Sequence, residues 1–178
     1  STARTQHIAA LLTAGTVLVA GGWAAPSTSY GLTSAEIYNP STGTWSTTGS
    51  MQTGRASPVG ALLTNGEVLV AGGITCCPYA TVGHTTELYD PTAGTWSQTG
   101  SMVMAKDSGL AALLQDGRVL YAGGGAGTVQ PDLYTTSESE LYDPTTGMWA
   151  RTSSLPMRRD WYGQAVLSDG RVLNVGGA

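Results

Sequence analysis

The chain has 178 residues, 12 acidic against 8 basic, a formal charge of −4 and a pI near 4.9. Phosphate backbones require a concentrated basic face, so no nucleic-acid partner is expected; no apolar run reaches the length of a membrane span, so no membrane insertion is expected either. With 25 Gly, 8 Pro, no Phe and 11% charged residues, the composition argues against a helical core and for short strands joined by tight turns, with Ser and Thr on the exposed sheet surface. The sequence opens Ser1-Thr2-Ala3-Arg4, with neither Met nor an apolar leader, and reads as a mature, processed or excised chain.

In chain order, strands are expected over 8–13 and 16–20, ending at Gly21-Gly22, followed by a loop over 23–33. A third strand then closes in Ile37-Tyr38-Asn39-Pro40, and a fourth opens at Trp45. The same sentence repeats as 59–64, 67–71, Gly72-Gly73, a loop over 74–86, Leu88-Tyr89-Asp90-Pro91 and Trp96. It repeats again as 110–115, 118–122, Gly123-Gly124, a loop over 125–139, Leu141-Tyr142-Asp143-Pro144 and Trp149. A last pair of strands, 163–168 and 171–175, ends at Gly176-Gly177. Ala14-Gly15, Asn65-Gly66, Asp116-Gly117 and Asp169-Gly170 divide the first strand from the second. Asn-Gly and Asp-Gly favour two-residue hairpin turns with positive φ, so each such pair is expected to be an antiparallel hairpin.

The Gly-Gly pairs step by 51, 51 and 53 residues, and the Tyr and Trp markers keep the same register. A period near fifty makes each unit one supersecondary element that buries its faces on its neighbours. Ala10, Ala61, Ala112 and Ala165 recur on the first strand, where small residues suit inner strands crowding about a common axis.

Gly-Gly, Tyr and Trp recurring in register in a four-stranded unit resemble the kelch repeat. The short Asp-Gly or Asn-Gly hairpin before Val-Leu-Val-Ala-Gly-Gly is similar to bacterial kelch domains and to those akin to galactose oxidase. The resemblance runs from Arg4 to Gly177 and implies an all-β propeller, commonly of six or seven blades about a central channel. One kelch-repeat region is expected over 1–178, with complete blades at about 7–53, 54–104 and 105–157 and a half blade at 158–178. The half blade implies either a segment of a larger propeller or an oligomer that covers the hairpin, because closure is what protects strand edges.

Each Tyr precedes the next Gly-Gly by 34 residues, so all length variation lies in the loops between second and third strands. Variable loops on a fixed frame are where recognition usually resides. They emerge on the same face as the blade-to-blade connections, and that face collects the candidate ligand-binding residues Trp23, Tyr30, Tyr79, His84, Asp107, Tyr134, Arg158, Asp160 and Trp161, with Gln130 and Asp132 nearby. Aromatics among carboxylates suit a peptide or a sugar ring, and equally suit packing the loops down. Trp161 stands where the other blades have Gln6, Ser57 and Ser108, and Asn174 breaks the column of Val19, Val70 and Tyr121.

Arg4, Arg55, Lys106 and Arg159 recur before each first strand, and Glu36, Glu87 and Glu140 recur before each Tyr. Matching columns of opposite charge favour structural pairing over an anion-binding ring. Cys76-Cys77 fit either a vicinal disulfide or two free thiols, and fall short of the about four ligands of a zinc site.

Three functions follow as expectations. The first is a non-catalytic module that binds a protein or glycan partner through one loop face, with no cofactor and no metal. The second is an assembly subunit that self-associates or joins further blades. The third, implied by the resemblance to galactose oxidase, is a copper enzyme using His7, His84 and Tyr79, although the adjacent cysteines depart from the family's Tyr-Cys crosslink. Low charge, high Ser/Thr content and the resemblance to secreted propellers point to an extracellular or cell-envelope setting.

Overall fold

The computed structural model describes residues 2–24, 31–75, 81–127 and 134–177. Tyr30, Tyr79, Gln130, Asp132 and the Cys76-Cys77 pair lie outside the described residues. Blade 1 consists of β1 (Ile8–Leu11), β2 (Val17–Ala20), β3 (Ala35–Asn39) and β4 (Thr44–Thr47), hydrogen-bonded in chain order. Blade 2 begins with β5 (Val59–Leu62) and β6 (Val68–Ala71), carries a separate ribbon of β7 (Ile74–Thr75) and β8 (Thr81–Val82), and ends with β9 (Thr86–Asp90) and β10 (Thr95–Thr99). Ahead of blade 3 comes β11 (Lys106–Asp107), followed by β12 (Leu110–Leu113) and β13 (Val119–Ala122). The loop that follows contains β14 (Gly125–Ala126) and β15 (Tyr134–Thr135), and the blade closes with β16 (Ser139–Asp143) and β17 (Met148–Thr152). The last elements are β18 (Gly163–Val166) and β19 (Val172–Val175), an antiparallel hairpin.

All strand pairs are antiparallel, and the described residues contain no helix, hence none long and apolar enough to cross a membrane. The inner strands β1, β5, β12 and β18 stand side by side in that order. The molecule is thus a sector of a propeller: three four-stranded blades and one two-stranded hairpin.

The inner hairpins differ from the expected two-residue turn. Leu63 N–H donates to Glu67 O at 2.8 Å, and Gly66 N–H donates to Leu63 O at 3.0 Å. Only Gly66 has positive φ, at 89°, while Asn65 does not. This is a three-residue loop in which a type I turn ends on a left-handed glycine. The Asn65 side chain accepts the Glu67 N–H at 3.1 Å, and Asp116 and Asp169 do the same for Arg118 and Arg171 at 3.0 Å each. Asn and Asp are therefore present as side-chain acceptors rather than for their tolerance of positive φ.

The hydrophobic core lies between blades rather than within them. One cluster joins Ile8, Leu18 and Met51 to Val68, Val70 and Tyr89 across blades 1 and 2. Another joins Val59, Leu69 and Met102 to Val119, Tyr142 and Trp149 across blades 2 and 3. A β-sheet with an apolar residue on each face must cover both, and stacking in a ring does so. Polar contacts fix the register: the Tyr89 hydroxyl meets Thr48 Oγ1 at 2.7 Å, and that of Tyr142 meets Thr99 Oγ1 at 2.8 Å.

Candidate functional site at the axial end of the blades

The connections that precede each inner strand are locked by buried ion pairs. Arg4 Nη2 lies 2.9 Å from Glu36 Oε2, Arg55 Nη2 2.8 Å from Glu87 Oε1, and Lys106 Nζ 3.2 Å from Glu140 Oε1. Arg55 also donates to the carbonyls of Gly72 and Thr85, and Glu87 accepts the backbone N–H of Gln52 and Thr53. Burial with further hydrogen bonds is what makes a desolvated pair tolerable. In blade 3 Lys replaces Arg, and the Lys106 ammonium also sits 4.6 Å from the centre of the Tyr121 ring, where blades 1 and 2 have Val19 and Val70. Burial pulls the Lys106 pKa down while Glu140 opposes the shift. These cations are structural, as their carboxylate column implied.

Held by this frame, one residue per connection takes a left-handed backbone: Gln6 (φ 55°), Ser57 (50°), Ser108 (52°) and Trp161 (49°). They are the sole non-glycine residues with positive φ among those described. Such a backbone costs roughly 1–2 kcal/mol at a residue with a Cβ. A hydrogen-bonded chain offsets it: Ser57 N–H donates to Gln6 O at 2.9 Å, Ser108 N–H to Ser57 O at 3.0 Å and Trp161 N–H to Ser108 O at 3.4 Å. This belt runs from blade to blade around the axis and sets four consecutive side chains at its end.

Two cavities share the belt. The axial one, ≈ 350 Å³, lies toward His7, Pro58, Leu110 and Tyr162. The other, ≈ 310 Å³, opens on the loop face and is lined by Asp107, Tyr134, Thr135, Asp160 and Trp161 together with Gln6, Ser57 and Ser108. The small sheet β11-β14-β15 places Asp107 and Thr135 here, through the pairs Asp107↔Gly125 and Gly125↔Thr135. A Cβ at Gly125 would meet the Asp107 carboxylate, so the glycine lets that carboxylate lie close against the β14 backbone. Blades 1 and 2 have Thr5 and Ala56 at the position of Asp107 and Asp160, so the two carboxylates distinguish blade 3 and the terminal hairpin.

Asp107 is 6% exposed, and burial pushes its carboxyl pKa up, with the Asp160 charge adding to the shift and a Ser108 hydrogen bond opposing it. Thr135 donates to Asp160 Oδ2 at 3.4 Å. Trp161 and Tyr134 are 64% and 48% exposed, so aromatic surface flanks the carboxylates. Among the described residues no Lys or Arg lines this cavity. It is an acidic recess with aromatic walls and hydroxyl and amide groups on its floor.

Of the predicted site residues, Asp107, Tyr134, Asp160 and Trp161 come together in this recess. Trp23 adjoins it indirectly, donating from its indole N–H to Gln6 Oε1 at 2.7 Å. His84 and Arg158 are exposed and line neither cavity. Tyr30 and Tyr79 fall outside the described residues. Reading the sequence missed Gln6, Ser57, Ser108 and Thr135 as lining residues, although the column of the first three was visible as the place where Trp161 departs from the repeat. His7 lines the axial cavity, away from the exposed His84, and among the described residues no group of three or more His, Cys, Asp or Glu is placed to hold a metal.

The blades and their sequence markers define the class of protein. The Kelch motif matches residues 4–52, which is blade 1 with its flanking connections. The "Kelch-like protein terF" of Aspergillus terreus is 32% identical over 103 residues, covering 56% of this chain and 22% of that protein. The chain therefore spans about a fifth of the length of this curated relative. The same Gly-Gly, Tyr and Trp markers are carried in register into the later blades, so the chain is similar to kelch-repeat proteins along its length. Kelch repeats generally mediate protein interactions.

Proposed function

We propose that the loop-face recess is a binding site for a protein partner and that it receives a cationic side chain, arginine or lysine, from that partner. The supporting observation is the convergence of Asp107 and Asp160 between Trp161 and Tyr134, with no Lys or Arg among the described residues that line the recess. A guanidinium or ammonium entering here gains two carboxylates in a partly desolvated setting and an aromatic face for cation–π contact. The repeat supplies a rigid frame, and the loop length of blade 3 supplies the departure from it that gives specificity. An extracellular or cell-envelope setting is part of this reading and rests on composition and on the resemblance to secreted propellers.

The test is a titration of the chain with the peptide acetyl-Gly-Arg-Gly-amide, followed by Trp fluorescence and amide chemical shifts. Saturable shifts centred on Trp161 and the residues of β11, lost in Asp107→Asn/Asp160→Asn, support the reading. Shifts of equal size with acetyl-Gly-Glu-Gly-amide, or no saturation, would sink it. Saturation by galactose with the arginine peptide inert would transfer the recess to a glycan ligand, which the same aromatic walls would stack against.

A further inference from the structure

On the floor of the loop-face recess the hydroxyl protons are already engaged. Ser57 Oγ donates to Gln6 Oε1 at 3.0 Å, Thr135 Oγ1 donates to Asp160 Oδ2 at 3.4 Å, and the Ser108 hydroxyl bonds the Asp107 carboxylate. The side-chain amide of Gln6 is different, and its orientation is fixed by a partner that can only donate. The Trp23 indole N–H lies 2.7 Å from this amide and has no lone pair to offer, so the atom that meets it is the carbonyl oxygen Oε1. With Oε1 holding both Trp23 and Ser57, Nε2 is the free corner of the amide, and among the described residues no acceptor meets it.

The main chain of Gln6 is held as well. Its backbone is left-handed, with φ 55°, and its carbonyl accepts the Ser57 N–H at 2.9 Å. Ser57, Ser108 and Trp161 occupy the same position in the later repeats, so blade 1 alone brings a primary amide to this place in the belt. A donor fixed at three points before a ligand arrives loses little freedom on binding, which lets a single neutral hydrogen bond discriminate between ligands.

The recess therefore makes two unlike polar demands on whatever fills it. Asp107 and Asp160 call for a cation, and the Gln6 Nε2 N–H calls for an acceptor. A guanidinium or an ammonium carries donors alone and answers only the first demand. A carboxylate on the ligand would answer the second, but two like charges of the recess repel it. A neutral carbonyl answers it without that repulsion, and in a polypeptide every cationic side chain has main-chain carbonyls beside it.

We infer that Gln6 is a specificity-determining residue of the recess, whose Nε2 N–H donates to a main-chain carbonyl of the partner next to the inserted arginine or lysine. The site thereby selects a cationic residue within a polypeptide over a free organic cation, a free amino acid or a C-terminal arginine. The inference rests on the reading that the recess receives a cation, and it adds the part of the ligand that the carboxylates cannot recognise.

The probes are acetyl-Gly-Arg-Gly-amide and butylguanidinium, which presents the same cation with no carbonyl, each titrated into the full 178-residue chain. The peptide is expected to bind at least about 5-fold more tightly, and to move the side-chain NH2 resonances of Gln6 while butylguanidinium leaves them in place. Gln6→Glu keeps an oxygen for Trp23 and Ser57 but replaces the donor with a second carboxylate oxygen. It is expected to abolish the peptide's advantage, and taking the ratio of the two affinities cancels the added attraction for any cation. Trp23→Phe, outside the recess, frees the amide to turn and is expected to lower the same ratio by about 2-fold. Equal affinity of the two probes, or an advantage that survives Gln6→Glu, would overturn the inference and leave the cation site standing. Saturation by neither probe would remove the cation site and the inference with it.

Discussion

Blade 2 and the terminal hairpin share the repeat's inner markers, among them the turn glycine, the Val-Leu pair and the closing Gly-Gly, yet one is the most buried part of the molecule and the other among the least. Val68, Leu69, Val70 and Ala71 are all within 1% of full burial, whereas Leu173 and Val175 on the corresponding strand are 47% and 59% exposed. Arg55 is fully buried and donates to four acceptors, Gly72 O, Thr85 O, Thr85 Oγ1 and Glu87 Oε1, whereas among the described residues Arg159 donates to the Gly176 carbonyl alone. The difference lies in what stands on either side. In a radial stack the free energy resides in interfaces between units, so identical residues acquire different values according to their neighbours.

The sharpest way to break this comparison is to remove the two arginines. Arg55→Ala strands the Glu87 carboxylate in a dry interface and is expected to cost about 3–5 kcal/mol. Arg159→Ala leaves no buried charge behind and is expected to fall within about 0.5 kcal/mol of the parent in urea unfolding. Equal losses would show that the terminal hairpin is covered in solution.

The aliphatic pair is next. Leu69→Ala opens a cavity between blades 2 and 3 and is expected to cost about 2–5 kcal/mol. Leu173→Ala, at the same strand position, is expected to cost well under about 1 kcal/mol because half of its side chain already meets water. A smaller effect separates Tyr89→Phe from Tyr38→Phe. The first removes the hydrogen bond to Thr48 and is expected to cost about 1 kcal/mol, while the second, on the open flank of blade 1, changes little.

The smallest effect depends on pH and sharpens the contrast between the frame and the recess. Because burial raises the Asp107 pKa above its usual value, the folded state holds that proton more tightly than the unfolded chain. The stability this contributes is fully present below the unfolded carboxylate pKa and is lost as pH rises through the raised folded value. Asp107→Asn is therefore expected to match the parent in acid and to become the more stable of the two as pH rises toward neutrality, as read by urea midpoints across pH 3–7. If the recess binds a cation, the same substitution weakens binding, and parent affinity grows with pH over the interval in which Asp107 ionises.

Much of the frame was legible because its signals are local or strictly periodic. Gly-Gly, Tyr and Trp keep their register over the whole chain, and a sheet's side-chain alternation carries that register into blade pairing. The column of Glu opposite the column of Arg and Lys gave the buried pairs directly. Strand ends and turn type were less legible, since Asn65-Gly66 is compatible with two hairpin geometries and only the backbone bonds of Leu63 choose between them. The additional strands β7, β8, β11, β14 and β15 were read as loop, because two-residue strands have no periodicity to detect.

The site divided in the same way. The aromatic and acidic residues of the loop face were named from their place in the variable loops and blade-to-blade connections, and Trp161 also from its departure from the repeat, but which of them meet was not a matter of sequence. Asp107 and Asp160 lie a full blade apart along the chain and converge because the inter-blade belt draws Ser57, Ser108 and Trp161 into one curve. Their backbone there is left-handed at residues whose type gives no hint of it, since Gln, Ser and Trp reach that region only where surrounding contacts impose it. The sequence by itself determined the unit, its strand order and its internal charge pairing, because these depend on spacings that each repeat carries within it. Tertiary structure decided which pairs are buried and which two carboxylates share a recess, because those properties belong to the contacts between repeats.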